Sequence, residues 1–170
     1  LGKSIFSIYD RNVYSDYNYF VKYINRKPYY SIMTSLESIT DAPMFTFEGQ
    51  TLQAKVVSVY DGDTVKVVFP LGETYYKWNC RLTGIDTPEI RTRCKTEKAH
   101  GYKVRDLLRE KILNKVVTLK CGEFDKYGRL LAEIQCVGEE CTVNQWLINN
   151  EYAFKYDGGT KQSWSEFLNK

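Results

Sequence analysis

The sequence predicts an α+β fold, and a small five-stranded barrel is one of the arrangements compatible with it. Short β-branched runs separated by Gly- and Pro-containing turns begin near residue 44. One long segment with helical periodicity interrupts these runs, and further helical segments follow the last of them. The element order is therefore three strands, a helix, two strands and then helices, which a small closed barrel can accommodate.

Five strands are expected in this part of the chain: Lys55–Tyr60, Thr64–Phe69, residues 76–83, Val116–Cys121 and Leu130–Cys136. The first two are joined by Asp61-Gly62-Asp63, a sequence typical of a tight turn. In the third strand apolar side chains alternate with polar ones, which indicates one buried face. This alternation puts Arg81 on the polar face.

About three helices are expected. The first covers Thr96–Leu113, with Thr96 as its N-cap and an apolar stripe at helical spacing. Its His100 falls on the side predicted to be exposed. A second helix is capped by Thr142 and ends near residues 149–150, and a short third helix covers Trp164–Leu168.

Residues 1–43 differ in composition and are predicted to be an N-terminal extension of a domain that covers residues 44–170. Seven of the 14 tyrosines lie in this extension, interleaved with Asn, Ser and Asp. A short helical segment over Asp16–Asn25 would end before Pro28. We favour a loosely packed surface extension over an aromatic platform for bases or a partner protein, because the segment carries no motif.

Composition excludes several classes of function. No apolar run approaches the roughly 18 residues that span a bilayer, so no membrane partner is expected. The five cysteines have no CxxC spacing, so neither a zinc site nor a disulfide framework is expected, and free thiols favour an intracellular location. A single histidine excludes most His-based catalysis. The net charge of +3 permits a nucleic-acid partner without requiring one.

Acidic and basic side chains that suit phosphodiester hydrolysis occur together in one part of the sequence. Asp63 lies at a turn, and Asp86-Thr87-Pro88-Glu89 follows a strand. Carboxylates and backbone carbonyls bind hard cations such as Ca²⁺ or Mg²⁺, and a further carboxylate can orient or deprotonate water. Arg81 and Arg129 suit a phosphate group, because a guanidinium donates two parallel hydrogen bonds. Each piece alone is more often structural, so their joint occurrence carries the prediction.

Three segments together resemble the staphylococcal nuclease (thermonuclease) family. They are Val59–Lys66 (VYDGDTVK), Arg81–Glu89 (RLTGIDTPE) and Asp125–Ala132 (DKYGRLLA). The resemblance extends from about Gln53 to Trp164. It implies an oligonucleotide-binding (OB) type five-stranded β-barrel with helices packed on it, and a Ca²⁺-dependent nuclease that hydrolyses DNA and RNA.

The resemblance also implies a role for each matching residue. Asp63 and Asp86 would bind one Ca²⁺ ion through their carboxylates and Thr87 through its carbonyl, although the ligand types alone also fit Mg²⁺ or Mn²⁺. Glu89 would position or deprotonate the attacking water, and Arg81 and Arg129 would hold the scissile phosphate. The substrate contacts would come from Lys126, Tyr127 and Tyr156.

The implied reaction is an in-line attack of water that expels the 5′-oxygen and leaves 3′-phosphate ends, with little sequence preference and with single strands favoured. One departure is Phe154, where the family pattern has a second tyrosine, so stacking would survive without the hydroxyl contact. The family's prototype is secreted, whereas the free cysteines here favour the cell interior. One alternative is a catalytically inactive module of the same family that binds nucleic acid or protein. A third interpretation makes residues 1–43 dominant, as the part of a scaffold or virion-type interaction protein that a protein partner would bind, with a vestigial barrel.

Overall fold

The computed structural model describes residues 36–168 of the 170-residue chain. The chain divides after Met44, and the unit Phe45–Lys170 contains all the strands and helices named below. The Tyr-rich segment of residues 1–43, including the helix expected over Asp16–Asn25, falls almost entirely outside the described residues. The predicted boundary between residues 43 and 44 therefore stays a prediction.

The fold is a closed five-stranded barrel, as the sequence predicts. Its strands are β1 (Thr51–Val59), β2 (Thr64–Leu71), β3 (Thr74–Leu82), β5 (Val116–Phe124) and β6 (Leu130–Cys136). They are joined in the order β1-β2-β3-β6-β5, and β1 closes the barrel by pairing with β5. All neighbouring pairs are antiparallel except β3 and β6, which run parallel. Closure satisfies the edges that an open sheet would expose.

The barrel interior is filled by the alternate side chains that face inward. The pattern is clearest in β6, where Leu130, Ala132 and Ile134 are fully buried and the residues between them are partly exposed. Phe69 closes the core with an aromatic group that includes Phe47 and Trp78; Phe69 and Trp78 stack with ring centroids 5.2 Å apart. Burial of these apolar surfaces is the main contribution that stabilises the barrel.

Within the unit Phe45–Lys170, three helices and a small second sheet pack around the barrel. The helices are α1 (Lys95–Ile112), α2 (Val143–Asn149) and α3 (Trp164–Leu168), and the sheet pairs β4 (Ile85–Asp86) with β7 (Phe154–Lys155). The buried Asn144 joins α2 to the barrel: its Oδ1 accepts from Ile134 N at 3.1 Å, and its Nδ2 donates to Thr83 O at 2.8 Å. No helix within residues 36–168 combines the length and apolarity needed to cross a bilayer.

Two local predictions for α1 are wrong, whereas the Thr142 cap of α2 is confirmed by its hydrogen bond from Gln145 N at 3.1 Å. The N-cap of α1 is Cys94 rather than Thr96, because a turn in which Thr92 Oγ1 accepts from Cys94 N precedes the helix directly. His100 is half-buried rather than exposed, since its ring lies 5.8 Å from that of Trp164, which arrives with α3.

Candidate active site

One open cavity of about 680 Å³ gathers most of the residues that the sequence singles out. Eight of the nine predicted site residues line it: Asp63, Arg81, Thr87, Glu89, Lys126, Tyr127, Arg129 and Tyr156. The ninth, Asp86, is buried behind the wall and contacts Lys161, another lining residue. The structure therefore brings the nine predicted residues together.

The barrel itself positions Arg81 against Asp63. Thr64 at the start of β2 pairs with Arg81 near the end of β3, so the turn that carries Asp63 lies beside the arginine. Arg81 Nη1 is 2.7 Å from Asp63 Oδ2, and the Thr64 hydroxyl donates to Asp63 Oδ1 at 2.8 Å. Both oxygens of this buried carboxylate therefore have a partner. Parallel pairing of β3 with β6 also brings Arg81 next to Leu131, close to the turn that carries Arg129.

Residues 86–89 are held by close contacts with two glycines. A Cβ on Gly62 would lie 2.7 Å from Thr87 Oγ1, and a Cβ on Gly101 of α1 would lie 2.7 Å from Pro88 O. Only glycine permits both approaches, because real Cβ atoms do not come that close to their neighbours. Glu97 adds a polar link, since its Oε1 accepts from Glu89 N at 3.2 Å. Helix α1 thus fixes the backbone that carries Glu89.

The turn between β5 and β6 holds Arg129 in one orientation. Asp125 Oδ2 accepts from Arg129 Nε at 2.7 Å and lies 2.7 Å from Nη2. Asp125 Oδ1 accepts from the backbone N–H groups of Tyr127 and Arg129, both at 2.9 Å. Gly128 closes the turn with a φ of 75°, a left-handed conformation that residues with a Cβ atom rarely adopt. The guanidinium edge held by Asp125 is thereby fixed, and Nη1 is not part of that pair.

Cations surround the exposed ring of Tyr127. Lys126 Nζ lies 5.1 Å and the Arg129 guanidinium carbon 5.4 Å from the ring centroid. The ring is 72% exposed, so its free surface can contact a ligand in the cavity. An aromatic face between two positive charges is a suitable surface for a phosphate with a neighbouring base.

The C-terminal segment reaches the cavity through the β4–β7 pair. Asp86 pairs with Phe154, and Tyr156 N donates to Gly84 O at 3.0 Å, which places the Tyr156 ring at the cavity. Phe154 does not line the cavity. It stacks on Trp164 with a centroid distance of 3.9 Å, so its ring has a packing role in fastening α3.

Lys161 also lines the cavity, although no feature of the sequence predicts it. Its Nζ lies 2.6 Å from Asp86 Oδ1 and 3.3 Å from Glu89 Oε1. Asp86 Oδ1 is buried and accepts no hydrogen bond, so its contact with Lys161 is an ion pair. The Asp86 and Glu89 carboxylates raise the pKa of the Lys161 ammonium against the opposing effect of burial. Nothing in the local sequence Asp157–Lys161 (DGGTK) signals such a contact.

Asp125 and Asp61 were also not assigned a role from the sequence. Asp61 Oδ1 accepts from Asp63 N at 3.2 Å and so shapes the turn, and both aspartates line the cavity. The sequence does contain a feature that could have identified them. Each aspartate precedes a predicted site residue within a glycine-containing turn, where Asp side chains commonly accept hydrogen bonds from the backbone.

The donors available at Asp63, Asp86 and Thr87 fit a hard divalent cation. Burial raises the pKa of the Asp63 carboxyl to about 7, although the adjacent Arg81 favours its ionised form. Asp86 is 2% exposed and has the buried oxygen described above. Both carboxylates are buried and each contacts one cationic side chain, and carboxylate oxygens are the ligands that a hard cation prefers. Within residues 36–168, no three His, Cys, Asp or Glu side chains converge as a metal cluster, so other ligands would have to be carbonyl, water or substrate oxygens.

Residues 79–168 match the model of the family described as staphylococcal nuclease homologue. This range contains all the predicted site residues except Asp63. A thermonuclease of Staphylococcus hyicus is 32% identical over 111 residues, which cover 61% of this chain and 62% of the thermonuclease.

Two other relatives have similar identity. The endonuclease Htp3 of Saprolegnia parasitica is 30% identical over 145 residues, covering 77% of this chain and 67% of that protein. An uncharacterized protein of Methanocaldococcus jannaschii is 34% identical over 137 residues, covering 68% and 64% respectively. The chain thus spans less than two thirds of the archaeal relative and of the thermonuclease.

Proposed function

Since the chain belongs to the family of staphylococcal nuclease homologues, we propose that it is a nuclease that hydrolyses phosphodiester bonds of DNA and RNA. The observation that carries the proposal is the convergence on one cavity of two arginines and a set of carboxylates from separate elements. A guanidinium donates two parallel hydrogen bonds to a phosphate group. Carboxylates can bind the cation and orient or deprotonate the attacking water. Contacts with phosphate and sugar, rather than with base edges, predict little sequence preference.

Arg81 and Arg129 are proposed to hold the scissile phosphate and stabilise its charge in the transition state. Each is already oriented by a carboxylate, Arg81 by Asp63 and Arg129 by Asp125, both at 2.7 Å. Donors that are fixed before the substrate arrives cost no reorganisation when charge develops on the phosphate. Lys126 and Tyr127 would contact a neighbouring phosphate, and Tyr156 would border a base.

Glu89 is the proposed residue that positions or deprotonates the attacking water. Its side chain is 55% exposed at the cavity, so it can reach water, while its backbone is fixed by Glu97. Attack in line would expel the 5′-oxygen and leave a 3′-phosphate. A cavity that must receive one phosphodiester favours single-stranded or frayed substrates.

We propose that Asp63, Asp86 and the Thr87 carbonyl would hold one Ca²⁺ ion. Bound there, the cation supplies positive charge beside the phosphoryl oxygens. The same oxygen donors suit Mg²⁺ or Mn²⁺ by type, so the choice of Ca²⁺ depends on the family.

Digestion of single-stranded DNA, duplex DNA and RNA tests the proposal. The full chain is assayed with Ca²⁺, with Mg²⁺ and with chelator, alongside Glu89→Gln and the control Glu110→Gln on the exposed face of α1. We expect cleavage that requires Ca²⁺, 3′-phosphate ends, and a large loss of rate in Glu89→Gln only. Absence of cleavage with every metal, but with nucleic-acid binding retained, would instead favour the inactive binding module.

We further propose that residues 44–170 contain the whole active site and that residues 1–43 are a separate extension. Every residue assigned a role above lies between Asp61 and Lys161. A chain without residues 1–43 should therefore cleave naked single-stranded DNA at the rate of the full chain. A large loss of activity in a shortened chain that melts normally would assign the extension a role in catalysis.

A further inference from the structure

The ammonium group of Lys161 lies where the proposed cation site requires a positive charge. Its Nζ is 2.6 Å from Asp86 Oδ1, a distance close to the 2.3–2.6 Å that separates Ca²⁺ from its oxygen ligands. It is also 3.3 Å from Glu89 Oε1. A divalent cation bound to Asp86 Oδ1 and this ammonium cannot both occupy that space.

The contact has an electrostatic reason. The Asp86 side chain is only 3% exposed, and a buried carboxylate without a nearby positive charge is costly. Within the described residues, Arg81 is paired with Asp63, and Lys161 is the cation in contact with Asp86. The ammonium therefore compensates the charge of Asp86 while no metal is bound.

The loop that carries Lys161 is fastened at both ends. Before it, β7 pairs with β4 and so with Asp86 itself; after it, Trp164 stacks on Phe154 at 3.9 Å. Between these points lie Gly158 and Gly159, and the Lys161 side chain is 46% exposed. The ammonium is thus tethered near Asp86, and its exposed side chain can turn toward solvent without unfolding the loop.

We propose that Lys161 is a tethered counter-ion that competes with the divalent cation for Asp86 and thereby sets how tightly this chain binds its metal. The inference rests on the proposed cation site. It predicts that the wild-type chain binds Ca²⁺ more weakly than the same chain without the ammonium. It also predicts that the ammonium stabilises the metal-free form.

Calorimetric titration of the full chain with Ca²⁺ alone, without nucleic acid, tests the inference. The neutral variants are Lys161→Met and Lys161→Gln, and Lys161→Arg keeps the charge. The matched control is Lys155→Met, which removes the same charge from an exposed position in β7. Melting of each variant in chelator and in Ca²⁺ is recorded in parallel.

We expect Lys161→Met and Lys161→Gln to bind Ca²⁺ up to about tenfold more tightly than wild type, since the half-exposed Lys161 ammonium limits the strength of its ion pair with the buried Asp86. They should melt at a lower temperature than wild type in chelator, and Ca²⁺ should raise their melting temperature by more than it raises that of wild type. Lys161→Arg and Lys155→Met should bind Ca²⁺ as the wild type does. If one neutral variant fails to fold, the other gives the comparison.

Two results would overturn the inference, and they are distinguishable. Equal or weaker Ca²⁺ binding in the neutral variants would show that Lys161 does not compete, while the nuclease proposal would stand. Absence of Ca²⁺ binding in every variant, including wild type, would remove the cation site and this inference together. Cleavage of nucleic acid is measured separately, so neither result depends on it.

Discussion

The carboxylate of Asp125 fixes the orientation of the neighbouring Arg129 side chain, which we propose to be catalytic. It accepts three hydrogen bonds from its own turn, two from backbone N–H groups and one from Arg129 Nε. Burial alone would raise the pKa of Asp125, but these bonds and the Arg129 charge outweigh it and lower the pKa. The charge on Asp125 therefore persists at neutral pH and holds the guanidinium in place.

Asp125→Asn should lower the rate of DNA cleavage by roughly tenfold or more, because small errors in positioning a catalytic group are costly. The loss should appear in kcat more than in KM, and the variant should melt within a few degrees of wild type. Glu123→Gln, an exposed change in β5, is the control. An unchanged kcat in Asp125→Asn would show that Arg129 needs no such support.

His100 gives a prediction for the pH dependence of stability. Burial, with a smaller effect of Lys103, lowers the pKa of His100 below its usual 6.5. Between the lowered folded value and 6.5 the unfolded chain binds more protons, so stability falls as pH falls through this window. The free energy of unfolding, measured by denaturant at pH 8 and pH 5, should fall less between these pH values in His100→Phe than in wild type. Phenylalanine keeps a ring beside Trp164. An equal loss in both proteins would contradict the assignment.

At the scale of elements, the packing of α1 against residues 86–89 controls the site. Gly101 lets the helix approach Pro88 so closely that a methyl group has no room. The obstructing atom is a backbone oxygen, which cannot rotate away as a side chain could. The position of Glu89 therefore depends on the absence of a side chain on the facing turn of α1.

Gly101→Ala should destabilise the fold by about 1–3 kcal/mol, since overpacking outweighs the gain of up to ~1 kcal/mol in helix propensity. It should also reduce cleavage by displacing Glu89. Thermal melting and kcat are the measurements, and Lys103→Ala on the exposed side of α1 is the control. A variant more stable than wild type would mean that the backbone at Pro88 shifts to accommodate the methyl group at little cost.

The long elements and the short helices α2 and α3 could be predicted from the sequence, whereas the two-residue strands could not. The barrel strands and α1 have enough residues for a period of two or 3.6 to be recognised. Strands β4 and β7 have two residues each, too few for any pattern. The sequence predicts Thr96 as the N-cap of α1, but the helix begins after Cys94. A turn in which the Thr92 hydroxyl accepts a hydrogen bond from Cys94 N precedes it.

At the scale of the whole molecule, pairing between strands that are distant in sequence assembles the candidate site. Parallel pairing of β3 with β6 brings Arg81 toward the turn of Arg129, and β4–β7 pairing brings the C-terminal segment to Asp86. The residues at turns could be predicted because their motifs are local. Lys161 could not be predicted, since its contacts depend on the pairing of two-residue strands and on the Phe154–Trp164 stack.

The rate of single-stranded DNA cleavage by Arg81→Lys and Arg129→Lys tests the central claim most directly. Lysine keeps the charge beside each aspartate but loses the fork of donors that suits a phosphate. If both arginines act on one phosphodiester, each variant should lose roughly 10²-fold or more in kcat while melting close to wild type. Wild-type cleavage rates in both folded variants would contradict the claim that this cavity is the catalytic centre.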